Sequence, residues 1–494
     1  MKEVIILGGG ISGLYAALNY QSIGYTVTLI EKKDRLGGNI HTIEKNGILL
    51  EAGAGRFNSD HKRLLKLIKQ YGLTTRLNGV KKDFYPVLCS TSKVNVDGWI
   101  EKVILESKKI SDHLLYNITF HQLCEMVLGY EKAKTLIEAF GYNAEFLIEN
   151  AHASLKTFQE DFTNQYPYMS CVEGLSELIR RMEEDLRSKG VTIHMGINIE
   201  KIKEKEDRFY LTDGHQKISG DILVLALPKN ALMKLPIIHD YTKALLDSVQ
   251  PVALHRIYGK YTKPWFEDIS KFTTDLPLRQ FIPIDSEHGV AMVSYSDLFD
   301  ADYWKYYADQ GSELLENKLK EQIRTILPNK KIPKLEWVES CYWEEGVHVW
   351  LPGINPKDIR RQLLNIQPNL YIVGEAYSLR QGWVEGALET VDEMMNHLKK
   401  QGGSYKRLFK KYMTVEELKH IDFKWVLLTL EGKTYVIDVT QWMYQHPGTA
   451  QPFIQYMYKD ITKPFHKITS HFENEGLKKH VLKMIKKYTV SQIQ

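Results

Sequence analysis

The chain opens on an uninterrupted apolar run, Val4-Ile5-Ile6-Leu7, then passes through Gly8-Gly9-Gly10-Ile11-Ser12-Gly13 into a stretch with helical spacing of apolar positions. A second apolar run follows and ends on Glu31. A short apolar run closed by glycine reads as a strand buried on both faces, so the pattern predicts a parallel strand–helix–strand unit. Gly8 permits the tight turn, Gly10 lets backbone N–H groups approach a pyrophosphate, and Gly13 lets helix and strand pack closely. The amino end of the helix, with Ser12 in its first turn, then faces the phosphates. Glu31 is placed to accept hydrogen bonds from a ribose, which favours a cofactor without a 2′-phosphate. Because strand, glycines, helix, strand and acid fall in order, the segment predicts a bound dinucleotide rather than a mere tight turn.

Two more glycine-rich turns follow, Arg35-Leu36-Gly37-Gly38-Asn39 and Gly53-Ala54-Gly55-Arg56-Phe57. Such loops bring main chain close to a flat, phosphate-bearing ligand, and their arginines can neutralise its charge. Residues 60–165 are mainly helical in pattern and read as a cap, with amphipathic stretches at 62–71 and 130–140. Glu173-Gly174-Leu175 opens an amphipathic helix through Arg187, and alternating strands lead to the buried run at 221–228. The aromatic-rich segment 240–343 reads as the antiparallel layer of a second domain. Leu370-Tyr371-Ile372-Val373-Gly374-Glu375 is another buried strand ending in glycine and an acid. Gly382-Trp383-Val384-Glu385-Gly386-Ala387 then opens a helix, giving a second phosphate-facing helix start.

At 494 residues the chain is long enough for two to four domains at roughly 100 to 200 residues each. Its composition, 43% apolar and 11% aromatic, is that of a globular protein, and no stretch approaches the ~20 apolar residues of a membrane span. Met1 leads straight into the first strand with no leader pattern, so a cytoplasmic location is expected. Cys89, Cys124, Cys171 and Cys341 form no CxxC pair, which argues against a zinc ribbon or a disulfide framework. The net charge of +4 is uneven: from Tyr405 onward there are 15 Lys and Arg against 8 Asp and Glu, leaving the preceding part slightly acidic. Many of those lysines fall at helical spacing, so a solvated helix face is expected there and no nucleic-acid partner.

Taken together, Gly8 to Gly13 with Glu31, the Arg35 to Asn39 turn, Gly53 to Phe57, and Val373-Gly374-Glu375 with Gly382 to Ala387 make residues 1 to about 400 resemble the flavin-dependent amine oxidases. These include the monoamine, polyamine and L-amino-acid oxidases. The resemblance implies an α/β fold with a Rossmann-like FAD-binding domain, at about 1–75, 170–235 and 340–400, and a mixed-sheet substrate domain with a helical cap, at about 76–169 and 236–339. It implies FAD held by Gly8, Gly10, Ser12, Gly13, Glu31, Arg35, Gly38, Asn39, Gly55 and Arg56. Ile199 would give backbone contacts to adenine, Glu375 would lie near the ribityl-pyrophosphate, and Trp383 and Val384 beside the flavin ring.

In this family a carbon–nitrogen bond is oxidised by hydride transfer to the flavin and the imine is hydrolysed, so the chemistry belongs to the cofactor. Trp383 takes the place of one aromatic wall of the substrate cage, with His348 or Trp350 as the other. No cysteine lies in the stretch matching Glu345 to Leu351, so non-covalent FAD is implied. His255 and Arg256 stand where the family's active-site lysine would fall, and Arg256 is a fixed cation rather than a proton shuttle. Asn39 replaces a frequent arginine, so part of the phosphate contact must come from elsewhere.

Gln401-Gly402-Gly403-Ser404 opens a linker at 401–411. Residues 412–494 resemble the small α+β cytochrome b5 domain, on the strand before His446-Pro447-Gly448, then Asp460-Ile461-Thr462, and His471. Haem b in that fold needs two imidazole ligands, and His446 and His471 are the candidates, with His466 and His480 as competitors for the second place. Thr449 replaces the family's second glycine. The leading expectation is an enzyme acting on a small-molecule amine, with O2 or the fused haem as electron acceptor. A desaturase or protoporphyrinogen-oxidase-like enzyme on the same fold, and a non-catalytic flavin-fold scaffold, are the alternatives. A narrow pocket walled by Trp383 favours amines, and a broad apolar tunnel favours lipids or tetrapyrroles.

Overall fold

In a computed structural model of the chain, the structure describes residues 2–79, 82–89, 94–162, 166–402, 412–413, 425–430, 433–438, 459–462 and 489–493. The first apolar run forms the strand Glu3–Leu7, inside a parallel sheet. Ile222–Leu225 pairs along one edge of it, Thr26–Ile30 along the other, and Thr192–His194 beyond that. Val4, Ile5 and Ile6 are fully buried, as a strand covered on both faces requires. The helix Ile11–Ser22 buries Leu14, Ala16, Ala17 and Tyr20.

Two of the glycines are fixed by main-chain contact. A Cβ on Gly13 would overlap the Gly8 carbonyl, and one on Gly8, at φ +110°, would overlap the Ala226 carbonyl. The Val373 amide donates to the Leu225 carbonyl at 3.0 Å. That bond brings Gly374 to the first helix, where a Cβ at 374 would stand 3.7 Å from Ser12 Oγ. The two glycine turns at opposite ends of the amine-oxidase-like region therefore meet at one end of the sheet.

The expected antiparallel layer is built on two long strands, Val249–Tyr261 and Leu335–Trp350, with Val290–Asp297 and Gln280–Asp285 continuing outward. Lys271–Thr273 and Lys82–Phe84 complete it, the last pair running parallel. The register places Arg256 beside Tyr295 on one neighbour and Cys341 on the other. Helices Leu298–Asp309 and Ser312–Ile326 cover this sheet through Trp304, Leu319 and Ile323, packed with Phe266, Phe272 and Phe281. The cap is helical from Val96–Ser107 to Ala151–Glu160, around stacked and edge-on Phe120, Phe140, Phe146 and Phe158. Ahead of it, strands Thr75–Leu77 and Lys82–Phe84 interrupt what the pattern alone reads as helix. Asp297 joins sheet to cap by accepting from the amides of Asn143 and Ala144, each at 2.8 Å.

The chain divides into two compact units, Met1–Leu364 with Ile372–Val391, and Asn365–Tyr371 with Asp392–Gln494. In the second unit the hairpin of Trp425–Leu430 and Lys433–Asp438 carries Thr489–Ile493 on its outer edge, with Tyr412–Met413 beside that. Trp425, Val426, Leu427, Leu428, Val436 and Ile437 of the hairpin are buried. His446 and His471 lie outside the described residues. Among the described residues no helix is long and apolar enough to cross a membrane, and the four cysteines are unpaired.

Replacing Gly13 by alanine forces a methyl into the Gly8 carbonyl and is expected to cost about 3 kcal/mol. The same change at Gly79, where a Cβ meets nothing within 4 Å, should be near neutral. Denaturant midpoints of the two variants check this. Equal stabilities would mean that the turn is not under main-chain constraint.

Candidate active site

Gly37 pairs in a bridge with Gly10, and its amide donates to the Gly9 carbonyl at 2.8 Å, which seats the second glycine turn against the first. A Cβ on Gly10 would meet only the Gly38 Cα, at 4.0 Å. A Cβ on Gly38 would stand 3.3 Å from the Gly10 Cα, so Gly10, Gly38 and Gly374 form a trough of bare main chain at the start of the first helix. Gly10 caps that helix with no side-chain hydrogen bond, so the trough faces the unsatisfied N–H groups of the first turn. Glu31 Oε2 accepts from the Gly9 amide at 2.7 Å and Oε1 from the Lys33 amide at 2.8 Å. A carboxylate has about four acceptor positions, so a lone pair on each oxygen stays available, which suits two neighbouring ribose hydroxyls. The Ile197 amide donates to the Glu31 carbonyl at 3.0 Å, bringing the segment that leads to half-buried Ile199 beside the acid. These residues fit the nucleotide end of FAD.

Beyond the trough is a cavity of about 120 Å³. One water needs roughly 10 to 15 Å³ of such space, so the cavity is of small-molecule size. Its lining comes from Asn39, from Gly55 and Arg56 of the third glycine turn, from Tyr142, Glu145 and Glu149 of the cap, from Arg256, Tyr295 and Asp297 of the second sheet, and from His348, Gln381, Trp383 and Val384. Trp383 is buried, stacked on Tyr168 at 6.1 Å between ring centres and edge-on to His61 at 4.9 Å. Behind it His61 Nε2 lies 3.1 Å from Asp161, whose carboxylate also accepts from Arg380 Nε at 2.9 Å. The Arg56 guanidinium sits 4.6 Å from the Tyr168 ring centre and 5.8 Å from that of Trp383, and donates to the Tyr142 hydroxyl at 3.3 Å.

One hydrogen-bonded chain ties trough to cavity. Glu375 Oε1 accepts from the amides of His348 and Gly382, at 3.1 and 2.7 Å, and Oε2 faces His348 Nδ1 at 2.8 Å. His348 Nε2 faces Glu345 at 3.3 Å. Burial alone pushes this imidazole down, but Glu375 and Glu345 outweigh burial and hold it up at about 9. His348 is therefore an imidazolium at neutral pH. Glu345 is held below its usual range: burial would raise it, and the bonds from His348 and the Asn230 amide prevail.

Several expected roles change. Arg35 donates to the carbonyls of Leu36, Gly38 and Ile40, so it holds its own turn together rather than presenting its guanidinium to a phosphate. Asn39 uses its amide on the carbonyls of Glu345 and Gly346, at 2.9 and 3.0 Å, and so fastens the turn to the second sheet. Arg256 donates to the main-chain carbonyls of Glu51, at 2.8 Å, and of Gly53, and lies over the Tyr295 ring, so it braces residues 51–53 while bordering the cavity. Glu375 has most of its acceptor positions filled by protein donors, which leaves room for about one ligand hydroxyl. Of the two candidates for the second wall, His348 lines the cavity; Trp350 is buried with its indole N–H on the Ser378 carbonyl and does not. The sequence reading missed Tyr142, Glu145, Glu149, Tyr295 and Asp297. Glu145 and Glu149 lie four apart in a helical stretch, a pattern that ordinarily marks a solvated face.

A family model described as flavin containing amine oxidoreductase matches residues 11–97 and 80–390, and one described as cytochrome b5-like heme/steroid binding domain matches 414–494. Among curated relatives, Aplysianin-A of Aplysia kurodai is 22% identical, with 80% of this chain and 89% of the relative covered. An L-amino-acid oxidase of Gloydius blomhoffii is 24% identical over 79% of this chain and 87% of its own. A probable polyamine oxidase of Arabidopsis thaliana is 24% identical over 47% and 51%.

The proton on His348 gives the site a pH signature. The folded protein binds it more tightly than the unfolded chain does, where histidine titrates near ~6.5. The stabilisation is complete below that value and declines as pH rises through about 9. Denaturant unfolding between pH 6 and 9.5 should show wild type losing stability relative to His348→Gln across this window. A constant difference between the two proteins would mean that His348 is not the proton carrier.

Proposed function

This chain belongs to the flavin containing amine oxidoreductases and carries a cytochrome b5-like domain at its C-terminal end, and from that premise we propose that its substrate is an α-amino acid and its electron acceptor the fused haem. The enzyme is an FAD-dependent oxidoreductase of amines. Bound FAD would supply the acceptor for a hydride from the carbon bearing the nitrogen, leaving an imine for water to hydrolyse. The first glycine turn and Glu31 would hold the nucleotide, and Trp383 and His348 supply side chains at the cavity. The absence of cysteine between Glu345 and Leu351 agrees with non-covalent attachment.

The observation that carries the amino-acid reading is Arg56. Its guanidinium is fixed in the cavity by Tyr142, Tyr168 and Trp383, and among the described residues no carboxylate lies within ion-pair distance of it. A planar cation in a partly dry site is the partner a substrate carboxylate needs. The cavity is rimmed by ionisable groups, Arg56, Arg256, Glu145, Asp297 and His348, which disfavours an apolar lipid or tetrapyrrole. For the acceptor, fusion keeps the second domain at an effective concentration near millimolar. His446 and His471 are proposed as the iron ligands.

Arg56→Met should lower kcat/KM for α-amino acids about 10- to 100-fold, the loss of one charge-assisted hydrogen-bonded pair, while barely changing that for the matching decarboxylated amines. Wild-type protein that oxidises the decarboxylated amines as well as the amino acids would overturn the carboxylate reading. Anaerobic addition of substrate should shift the haem Soret band to its reduced position in wild type and not in His446→Ala. Flavin bleaching with the haem left ferric would rule out the relay.

A further inference from the structure

An ammonium nitrogen has no lone pair to support loss of hydride from the neighbouring carbon, so a substrate that enters in its protonated form must give up a proton first. The cavity side chains leave few acceptors. Arg56 and Arg256 are permanent cations. Both ring nitrogens of His348 face carboxylates, so its imidazolium has no lone pair to offer. Asp297 is engaged by the Asn143 and Ala144 amides and by Asn143 Nδ2. Glu149 accepts from the Ser154 hydroxyl at 2.7 Å. Two residues that line the cavity each bury a side-chain oxygen without a hydrogen-bond partner, Glu145 Oε2 and Gln381 Oε1, and an amide oxygen does not take a proton near neutral pH.

Resting on the amine-oxidising reading above, we propose that Glu145, whose side chain lines the cavity and keeps one carboxylate oxygen without a hydrogen-bond partner, is the catalytic residue that accepts the proton of the substrate ammonium. The nitrogen–hydrogen bond breaks, its electron pair stays on nitrogen as the new lone pair, and the proton joins the carboxylate; no electron is transferred in this step. The groups facing Glu145 are Arg56, Asp297, Glu149, Tyr142 and Tyr168. Burial and then Asp297 push its carboxyl up to about 8, with Arg56 opposing, which matches an acceptor working near neutral pH. Of the two cap carboxyls that line the cavity, Glu145 is the one whose charged form Arg56 favours.

The test is kcat/KM against pH for full-length, FAD-loaded protein with an amine that wild type oxidises, the flavin spectrum reporting that each variant is folded. Wild type should lose activity below an acid limb near pH 8. Glu145→Gln should fall about 100-fold or more, with its limb moved up to the substrate's own ammonium. Glu145→Ala should regain rate with added acetate, in proportion to acetate, which a packing defect would not. Glu149→Gln should keep most of the wild-type rate and an acid limb, moved at most to lower pH by loss of a neighbouring charge. A wild-type limb in Glu145→Gln, no acetate response in Glu145→Ala, or a rate loss in Glu149→Gln as deep as that in Glu145→Gln would each overturn the assignment. Wild-type protein that oxidises no amine at all would instead defeat the functional reading, and this inference with it.

Discussion

The close approach of main chain to main chain at one end of the parallel sheet governs everything built on it. Gly8 and Gly13 have no space for a Cβ, because the carbonyls of Ala226 and Gly8 occupy it. Gly10 and Gly374 sit beside them and add no side chain to that surface. Packing that tight leaves the first helix uncapped by any side chain, and the orphaned N–H groups at its start make a ready site for phosphate. A nucleotide is what completes the hydrogen bonding of this surface.

The second constraint is a chain of carboxylates running from the trough to the cavity. Glu375 holds His348 and Gly382, and His348 holds Glu345, which in turn accepts from the Asn230 amide at 3.0 Å. Trp383 follows Gly382 directly, so the orientation of the cavity wall and the charge on His348 are set by the same acid. On the other side Asp297 fixes the start of the short helix Ala144–Leu147, and so the place of Glu145. The binding surface and the reacting surface are thus held by different acids. That separation is what the proposed roles require, Arg56 as the anchor and Glu145 as the residue with an unpartnered oxygen.

The parallel strand, the glycine turns and the late strand were legible in the sequence because their constraints are local: a buried run, then a turn that only glycine can make. Side-chain destinations were less so. Arg35 reads as a phosphate ligand until the turn is seen to aim three of its own carbonyls at the guanidinium. His348 and Trp350 are two apart on one strand and share a face, but about 6.6 Å along the strand separates them, and only the nearer one reaches the cavity. Glu145 was invisible because a carboxylate in a helical stretch is ordinarily solvated, and only the packing of the cap over the second sheet buries this one. The two histidines proposed as haem ligands lie outside the described residues, and their assignment rests on His446-Pro447-Gly448 and on the match of 414–494 to a cytochrome b5-like domain.

A crystal structure of the purified protein with its cofactor should show FAD lying along the trough, its adenosine ribose on Glu31, its pyrophosphate over Gly10 and the first helical turn, and its ring at the Trp383 and His348 end of the cavity. A nucleotide bound elsewhere, or a trough closed by side chains with the protein colourless, would contradict this placement of the cofactor.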